Sequence, residues 1–220
     1  MILKEKTALL VGATGLVGGH LLHILLEQPA YDKVKIFTRR NIQLDHPKLE
    51  QIVVDFDHLE QYVDHMHVDD VYCCLGTTIK KAGSKEAFRK VDFEYPLVMA
   101  KMAKQCGASK FLMVTSIGAD SKSSFFYVQV KGDVEEEVKK VGLSSVHVFQ
   151  PSLLLGSRSE SRPRERAIMM VSPLIKLIAR GKWSQYSPIQ AKDVAEAMYR
   201  VGQSQRQGNH VYHYEQIMSK

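Results

Sequence analysis

Short apolar runs alternate along the chain with longer segments in which apolar residues recur every three or four positions. Buried parallel strands produce the first pattern, and amphipathic helices produce the second. The first run is Thr7–Val11, and after a glycine-rich stretch Leu16–Glu27 has helical spacing. The pattern predicts further strands at residues 34–38, 51–54, 71–75, 111–116, 146–149 and 210–214. It predicts further helices near residues 95–106, 127–141, 167–180 and 192–201.

This order of elements is typical of an α/β fold. Strands that alternate with helices pair in parallel, and the connecting helices cover both faces of the sheet. We therefore expect a single Rossmann-like, doubly wound parallel sheet with helices on both faces. The 220 residues fit one domain spanning residues 1–220, in which 152–220 contribute a cap on the substrate side.

Composition excludes several classes of protein. A hydrophobic content of 45% is enough to build a core and excludes a disordered chain. The apolar stretches are far shorter than the ~20 residues that cross a bilayer, and the first residues lack the pattern of a signal peptide. Cys73, Cys74 and Cys106 have no CxxC spacing, so we expect free thiols and no metal site. Free thiols indicate a reducing compartment, which we take to be the cytoplasm.

The net charge of +6, from 30 basic and 24 acidic side chains, suits either nucleic acid or a negatively charged small ligand. The densest basic run covers residues 158–166 and contains no aromatic residue. Surfaces that bind nucleic acid usually combine concentrated charge with aromatic side chains, so we expect no nucleic-acid partner. Nucleic-acid binding through this run would instead show an affinity that falls steeply with salt.

Three glycines mark the end of the first predicted strand and the start of the first helix. Gly12, Gly15 and Gly18 have GxxGxxG spacing. At this place the unpaired N–H groups and the dipole of the helix favour a pyrophosphate. Gly12 permits the tight turn, Gly15 lets the backbone approach the ligand, and Gly18 lets the helix pack on the strand. The alternative is a glycine-rich turn that binds nothing.

The residues after the second and third strands indicate which dinucleotide is bound. An acidic residue after the second strand binds the ribose of NAD, but this chain has Arg39 and Arg40 there. Arginine forms charge-assisted hydrogen bonds with a 2′-phosphate, which favours NADP(H). A solvated surface pair is the alternative. Asp55, just after the third strand, is placed either to meet the adenine amino group or to cap the strand end.

A catalytic set is predicted around the fifth strand. Tyr127 and Lys131 form a YxxxK motif that opens the following helix, and Ser116 ends the strand itself. The second YxxxK match, at Tyr31 and Lys35, is remote from any carboxyl end of a strand. A neighbouring ammonium favours an ionised tyrosine, so Tyr127 would act as acid/base while Ser116 holds the substrate oxygen. The alternatives are a serine in a turn and an aromatic residue that covers the core.

Two longer motifs contain these catalytic candidates, and two more lie elsewhere in the chain. They are Cys73-Cys74-Leu75-Gly76-Thr77-Thr78, Ser116-Ile117-Gly118-Ala119-Asp120, Tyr127-Val128-Gln129-Val130-Lys131-Gly132 and Glu160-Ser161-Arg162-Pro163. With the glycine loop and the arginine pair, they cover about residues 7–165 in order. Together they resemble the atypical short-chain dehydrogenase/reductases, in particular the HIV Tat-interacting-protein oxidoreductase family.

The resemblance implies an NADPH-binding Rossmann-like domain and a role for each motif. It places Thr14, Gly15, Leu16 and Val17 on the pyrophosphate, Arg39 and Arg40 on the 2′-phosphate, Leu75 and Gly76 at the middle of the cofactor, Tyr127 and Lys131 at the nicotinamide, and Leu154 and Arg162 over the cofactor. One departure affects the proton relay. The active-site asparagine that is usual in the wider superfamily is missing, and Asp92 is the nearest polar candidate.

Two weaker signals favour ordinary structural roles. His65 and His67 form an HxH pair without a third ligand, so we expect solvated histidines and no metal. Residues 164–182 are basic and partly apolar, which suits a helix lining the substrate cleft better than one docking on a membrane or a partner.

Two functional hypotheses remain. The first is an NADPH-dependent oxidoreductase that reduces a small carbonyl substrate, with Tyr127 protonating its oxygen. The alternative is a non-catalytic NADPH-binding regulatory module that acts through a protein partner.

Overall fold

The computed structural model describes residues 6–156 and 186–219. Its strands are β1 Thr7–Val11, β2 Lys33–Thr38, β3 Leu49–Val53, β4 Asp70–Cys73, β5 Lys110–Val114, β6 Ser145–Phe149, β7 Leu154–Leu155, β8 Ile189–Gln190 and β9 Gly208–Tyr212. Seven of them form a parallel sheet in the order β3-β2-β1-β4-β5-β6-β9. A separate parallel pair, β7 with β8, has two residues in each strand.

Helices connect the strands and cover both faces of the sheet, as the alternating pattern predicted. The α-helices of the described residues are α1 Leu16–Glu27, α2 Ile79–Ala82, α3 Lys85–Arg89, α4 Tyr95–Gln105, α5 Phe126–Lys140, α6 Ala191–Gln203 and α7 Tyr214–Met218. A 3₁₀ segment covers Phe56–Met66, and a π-helical turn at Lys90–Glu94 joins α3 to α4. In the described parts of the chain, no helix is both long and apolar enough to cross a bilayer.

The sheet is wound in both directions from β1. The chain builds β2 and β3 on one side of β1 and then returns to place β4 on the other side. Val11 therefore pairs with Phe37 on one side and with Cys73 on the other. This reversal of strand order opens a crevice beyond the carboxyl ends of β1 and β4, where doubly wound sheets bind their ligands.

Alternate residues of β1 divide the core into two layers. Ala8 and Leu10 pack in the layer under α1 and α6, whereas Leu9 and Val11 pack in the layer under α4 and α5. All four side chains are completely buried. A parallel strand covered on both faces has no solvent-facing positions, which explains why β1 is apolar along almost its whole length.

The predicted Rossmann-like fold is confirmed, with small shifts at element ends and several additions. The helix predicted for residues 167–180 lies outside the described residues, and so does much of the predicted cap. Residues 191–219 contribute α6, β9 and α7, which complete the main sheet and cover one of its faces. The 3₁₀ and π segments were not predicted, because their sequences lack a sustained helical repeat.

Buried polar side chains join several elements at the amino end of the sheet. The Tyr31 hydroxyl lies 2.6 Å from Asp70 Oδ2 and 2.8 Å from the Tyr72 hydroxyl. Lys6 Nζ pairs with Asp70 at 2.7 Å, and Gln203 Nε2 donates to the Tyr31 hydroxyl at 3.1 Å. Burial raises the pKa of Tyr31, so its hydroxyl stays protonated and can donate to the carboxylate. The network ties the beginning of β1 to the end of α6.

A buried histidine lies in β6, next to the edge strand β9. His147 of β6 is fully buried, and its Nδ1 lies 3.0 Å from the Tyr212 hydroxyl of β9. Its ring stacks on His210 with centroids 5.4 Å apart. Burial lowers the pKa of His147 to about 4, and positive charge on His210, Lys110 and Arg206 acts in the same direction. The folded protein therefore requires a neutral ring at this position.

We expect acid to destabilise the fold through His147. An unfolded histidine binds its proton near pH 6.5, so stability is fully present above that pH and falls progressively towards pH 4. The loss assigned to this group is about 3 kcal/mol at pH 4. Urea unfolding of wild type and His147→Phe between pH 4 and 7 measures it. The wild type should lose more stability than the variant, and equal losses would contradict the assignment.

Candidate functional site

The loop after β1 makes a tight turn against the end of β4. Gly12 has φ +87°, and a Cβ added to it would lie 2.5 Å from the carbonyl oxygen of Cys74. The Gly15 N–H donates to Gly12 O at 2.9 Å, and α1 begins at the next residue. No side chain caps this helix, and Thr14 and Gly15 are exposed. The N–H groups of the first helical turn are thus presented in the crevice with the geometry of an anion site.

A second close approach holds α1 on this loop. A Cβ on Gly18 would clash with Gly12 O, so the helix can pack here only with glycine. Val17 is buried and Leu16 is half-buried. The chain after β7 reaches the same place, since a Cβ on Gly156 would lie 2.8 Å from Leu16 Cδ1. Leu154 in β7 therefore lies two residues from a direct contact with the start of α1.

The two predicted arginines lie beyond the end of β2. Arg39 and Arg40 are exposed, and the buried Thr38 hydroxyl donates to Arg40 O at 2.8 Å. The hydrogen bond fixes the main chain and leaves both guanidinium groups in solvent. Both positive charges are therefore available to an anion at this edge of the crevice.

Asp55 caps the 3₁₀ segment after β3. Its Oδ1 accepts from the Asp57 N–H at 2.9 Å, and its Oδ2 lies 2.8 Å from His58 Nδ1. The hydrogen bond from His58 lowers the pKa of Asp55, and the side chain is exposed. The cap therefore belongs to the segment after the strand, whereas the sequence left open a cap of the strand end. Contact with adenine remains a prediction.

Ser116 follows β5 with its hydroxyl turned inward. Ser116 Oγ is buried and has no hydrogen-bond partner among the described residues. The next residue, Ile117, donates its N–H to Pro151 O at 3.0 Å and so links the loops after β5 and β6. A buried hydroxyl without a partner is unfavourable, and such groups need a specific reason in a native structure. A ligand oxygen in the crevice would satisfy it.

Helix α5 carries the predicted tyrosine and lysine. The ring of Tyr127 packs against Phe88 with centroids 5.5 Å apart and is 38% exposed. Lys131, one turn later, is 5% exposed. Gly132 follows it, and a Cβ there would clash with Asp120 and with the N–H of Ser121. The loop that begins at Ser116 can therefore lie directly on the helix.

A buried carboxylate holds α5 against the ends of two strands. Glu135 Oε1 accepts from the Thr115 hydroxyl at 2.6 Å and from Gln150 Nε2 at 2.9 Å. Thr115 follows β5 and Gln150 follows β6, so one side chain fixes both strand ends. The sequence did not predict Glu135 as a site residue, because an acidic residue within a charged helical segment is expected to face solvent.

Lys131 forms a buried ion pair with Asp92, its Nζ lying 2.7 Å from Asp92 Oδ1. The other carboxylate oxygen, Oδ2, accepts from the Thr77 N–H at 2.9 Å. Gly76 lies beside the pair, since a Cβ added to it would be 3.7 Å from Asp92 Oδ1 and 3.8 Å from Lys131 Nζ. The structure thus brings Gly76 and Lys131 together. It gives Asp92 direct contacts that the sequence could not reveal.

The remaining sequence signals concern the cysteines, the metal-ligating side chains and the basic run. Cys73 packs in the layer under α4 and α5, whereas Cys74 packs in the layer under α1. Burial raises the pKa of Cys73 to about 11, which keeps it a thiol. No group of three metal-ligating side chains occurs in residues 6–156 or 186–219. Arg162 and the basic run 158–166 lie outside the described residues.

Sequence comparisons identify the family and the relatives of this chain. A family described as NAD(P)H-binding matches residues 12–203. Protein HTATIP2 of Rattus norvegicus is 40% identical over 167 residues, which cover 74% of this chain and 69% of that protein. Protein fmp52, mitochondrial, of Emericella nidulans is 30% identical over 198 residues, covering 86% and 85%. Protein FMP52, mitochondrial, of Candida albicans is 33% identical over 194 residues, covering 85% and 83%.

Solved structures show the same fold at low sequence identity. The Bordetella bronchiseptica enzyme WbmH in complex with NAD+ has a TM-score of 0.71 at 17% identity, over 95% of this chain and 76% of that one. MoeE5 in complex with UDP-glucose and NAD has a TM-score of 0.69 at 17% identity, over 96% and 79%.

The fold and the glycine loop define an NAD(P)-binding Rossmann protein with an oxidoreductase-like architecture. The chain belongs to the NAD(P)H-binding family and, within it, to the atypical short-chain dehydrogenase/reductases similar to HTATIP2. The resemblance seen in the sequence motifs is therefore confirmed.

The predicted location needs a correction. The names of the fungal relatives assign those proteins to mitochondria, which contradicts the cytoplasmic location expected for this chain. The expectation rested on three free thiols. Free thiols report a reducing environment and do not identify the compartment that provides it.

Adjacent glycines of α1 provide a test of the loop geometry. Gly18→Ala places a methyl group against Gly12 O and should destabilise the protein by about 1–3 kcal/mol. Gly19→Ala is the matched control, because its Cβ would lie 3.6 Å from Ala13 O, an ordinary contact, and helix propensity favours alanine. Urea unfolding should rank the control at or above wild type. Similar losses in both variants would argue against the close approach.

Proposed function

We propose that the protein is an NADPH-dependent reductase of a small carbonyl compound. The observation that carries the proposal is the buried Ser116 hydroxyl, which has no partner among the described residues. It lies at the carboxyl end of β5, whose loop packs on α5 beside Tyr127 and Lys131. A substrate oxygen that accepts a hydrogen bond from this hydroxyl would remove the free-energy cost of leaving it buried without a partner.

The residues of the crevice fit NADP(H). The uncapped start of α1, at Thr14 to Val17, would bind the pyrophosphate through main-chain N–H groups. Arg39 and Arg40 would bind the 2′-phosphate, and the chain has no acid there to repel it. Leu75 and Gly76 would pass along the middle of the cofactor. Leu154 lies close to the start of α1 and would help to cover it, as would Arg162 by resemblance.

The reaction divides between the cofactor and three side chains. The nicotinamide supplies a hydride when it is bound. Ser116 would donate a hydrogen bond to the carbonyl oxygen and fix its position. Tyr127 would give its proton to that oxygen as negative charge develops. The Lys131 ammonium would stabilise the phenolate left on Tyr127 and donate to the ribose next to the nicotinamide.

Exposed apolar side chains around the crevice favour an apolar carbonyl substrate. Phe125, just before α5, is 75% exposed, and Leu153, just after β6, is exposed as well. The Ile189 N–H donates to Leu153 O at 3.0 Å, so these loops are held together. Apolar side chains that remain exposed at a cleft commonly contact an apolar ligand.

The alternative is an NADPH-binding module that acts through a protein partner without turnover. One observation favours it. The Asp92 carboxylate is 2.7 Å from Lys131 Nζ, so the ammonium is already paired. This pairing weakens the field that Lys131 exerts on a phenolate at Tyr127. Under this alternative NADPH binds tightly, while a broad panel of aldehydes and ketones shows no turnover.

Calorimetric titration of NADPH and NADH tests the cofactor. Wild type should prefer NADPH, and Arg39→Ala should weaken NADPH binding by roughly 10- to 100-fold while sparing NADH, because only NADPH carries the 2′-phosphate. Arg206→Ala, which removes an exposed arginine just before β9, is the charge-matched control. Equal affinity for both dinucleotides, or equal losses in the two variants, would argue against the assignment.

Tyr127→Phe tests the chemistry. The variant keeps the ring that packs on Phe88 and loses only the hydroxyl, so NADPH affinity should be unchanged. Turnover should fall at least ~100-fold, the usual contribution of a positioned acid/base. Tyr214→Phe, on α7, serves as control and should retain activity. Full activity in Tyr127→Phe would reject Tyr127 as the proton donor.

A further inference from the structure

Asp92 is a buried carboxylate whose two oxygens are both engaged at the candidate site. Its side chain is 0% exposed. Oδ1 lies 2.7 Å from Lys131 Nζ, and Oδ2 accepts from the Thr77 N–H at 2.9 Å. A buried charge is retained only where it is paired and hydrogen-bonded, and Asp92 meets both conditions through these two residues.

The backbone around Asp92 departs from regular helix. Asp92 occupies the centre of the π-helical turn Lys90–Glu94, between α3 and α4. Single π turns inside helices are rare and occur often at functional sites. Here the turn belongs to the segment that carries the carboxylate towards the loop after β4. Asp92 does not face solvent from this turn. It is buried against the predicted nicotinamide side of the crevice.

One carboxylate therefore connects three separate segments. Thr77 follows β4, Asp92 joins α3 to α4, and Lys131 lies in α5. Gly76 passes over the ion pair, and a Cβ there would be within 4 Å of both charged groups. Any ligand that lies along Leu75 and Gly76 consequently meets the Lys131 ammonium in the position that Asp92 gives it.

We propose that Asp92 is a positioning residue, which holds the Lys131 ammonium for the ribose next to the nicotinamide. This inference rests on the proposed function. Asp92 Oδ1 accepts no hydrogen bond of regular geometry from the described residues, so its contact with Lys131 is an ion pair, and the three donors of the ammonium leave hydrogen bonds for the ribose hydroxyls. A lysine stem is flexible, and the ion pair orders it before the ligand arrives. Asp92 thus acts on the cofactor through Lys131 and does not touch the reacting atoms.

The variant Asp92→Asn isolates this role. Asparagine has nearly the same shape, but an NH₂ donor replaces one of the two oxygens, so the variant loses either the contact with Lys131 or the hydrogen bond from Thr77. It also removes the countercharge of a buried ammonium. Asp133→Asn is the matched control, because Asp133 pairs with Arg89 at 3.0 Å between α5 and α3, whereas Lys131 pairs with Asp92.

Two ligands separate a positioning role from a general structural one. NADPH contains the nicotinamide ribose, whereas adenosine 2′,5′-bisphosphate carries only the adenosine end and its phosphates. Calorimetry should show that Asp92→Asn weakens NADPH by roughly 10- to 100-fold and leaves the bisphosphate unchanged. Asp133→Asn should change neither affinity. Equal losses for both ligands, or no loss for NADPH, would overturn the inference.

A double-mutant cycle shows whether Asp92 acts through Lys131. In a Lys131→Met background, Asp92→Asn should cause no further loss of NADPH affinity. The double variant contains neither buried charge, so it remains testable where Asp92→Asn alone fails to fold. A further loss in the double variant would overturn the inference. If wild type bound neither ligand, the proposed function would fail together with it, whereas tight wild-type binding with an additive cycle would reject only the role of Asp92.

Discussion

The site depends on the contact between the main chains that follow β1 and β4. Gly12 turns with positive φ directly against Cys74 O, and Gly18 brings α1 onto Gly12 O. Backbone atoms meet at both places, and no side chain larger than hydrogen fits between them. This contact sets where α1 starts relative to the sheet. It therefore also sets where the free N–H groups of that helix point, on which the binding of a pyrophosphate depends.

Contacts made by helix α5 fix the positions of the residues in the other half of the crevice. Glu135 fixes the helix to the residues that follow β5 and β6, Gly132 admits the loop that begins at Ser116, and Lys131 reaches Asp92. These contacts all lie on the buried side of the helix within two turns. The exposed ring of Tyr127 is thus carried by a rigid support, which the proposed acid/base role would need.

The strands and the glycine loop could be predicted because their causes are local. A parallel strand covered on both faces is apolar throughout, and a glycine at a turn is visible in one dimension. Asp92 and Glu135 could not be assigned in this way. Asp92 meets Lys131 across 39 positions of sequence and through a π turn that has no reliable sequence pattern. The role of Asp55 could not be decided from the sequence either, because an acidic residue after a strand can cap the main chain or can bind a ligand.

The packing of α1 against α6 bears on how the chain folds during synthesis. The apolar side of α1, at Leu21 and Leu25, is covered by α6, which is made roughly 160 residues later. At ribosomal rates of about 5–20 residues per second, that face waits on the order of 10 to 30 seconds for its cover. The hydrogen bond from Gln203 to the Tyr31 hydroxyl likewise cannot form until the end of α6 has been made. The nascent chain therefore carries an uncovered hydrophobic helix until the residues of α6 have been synthesised.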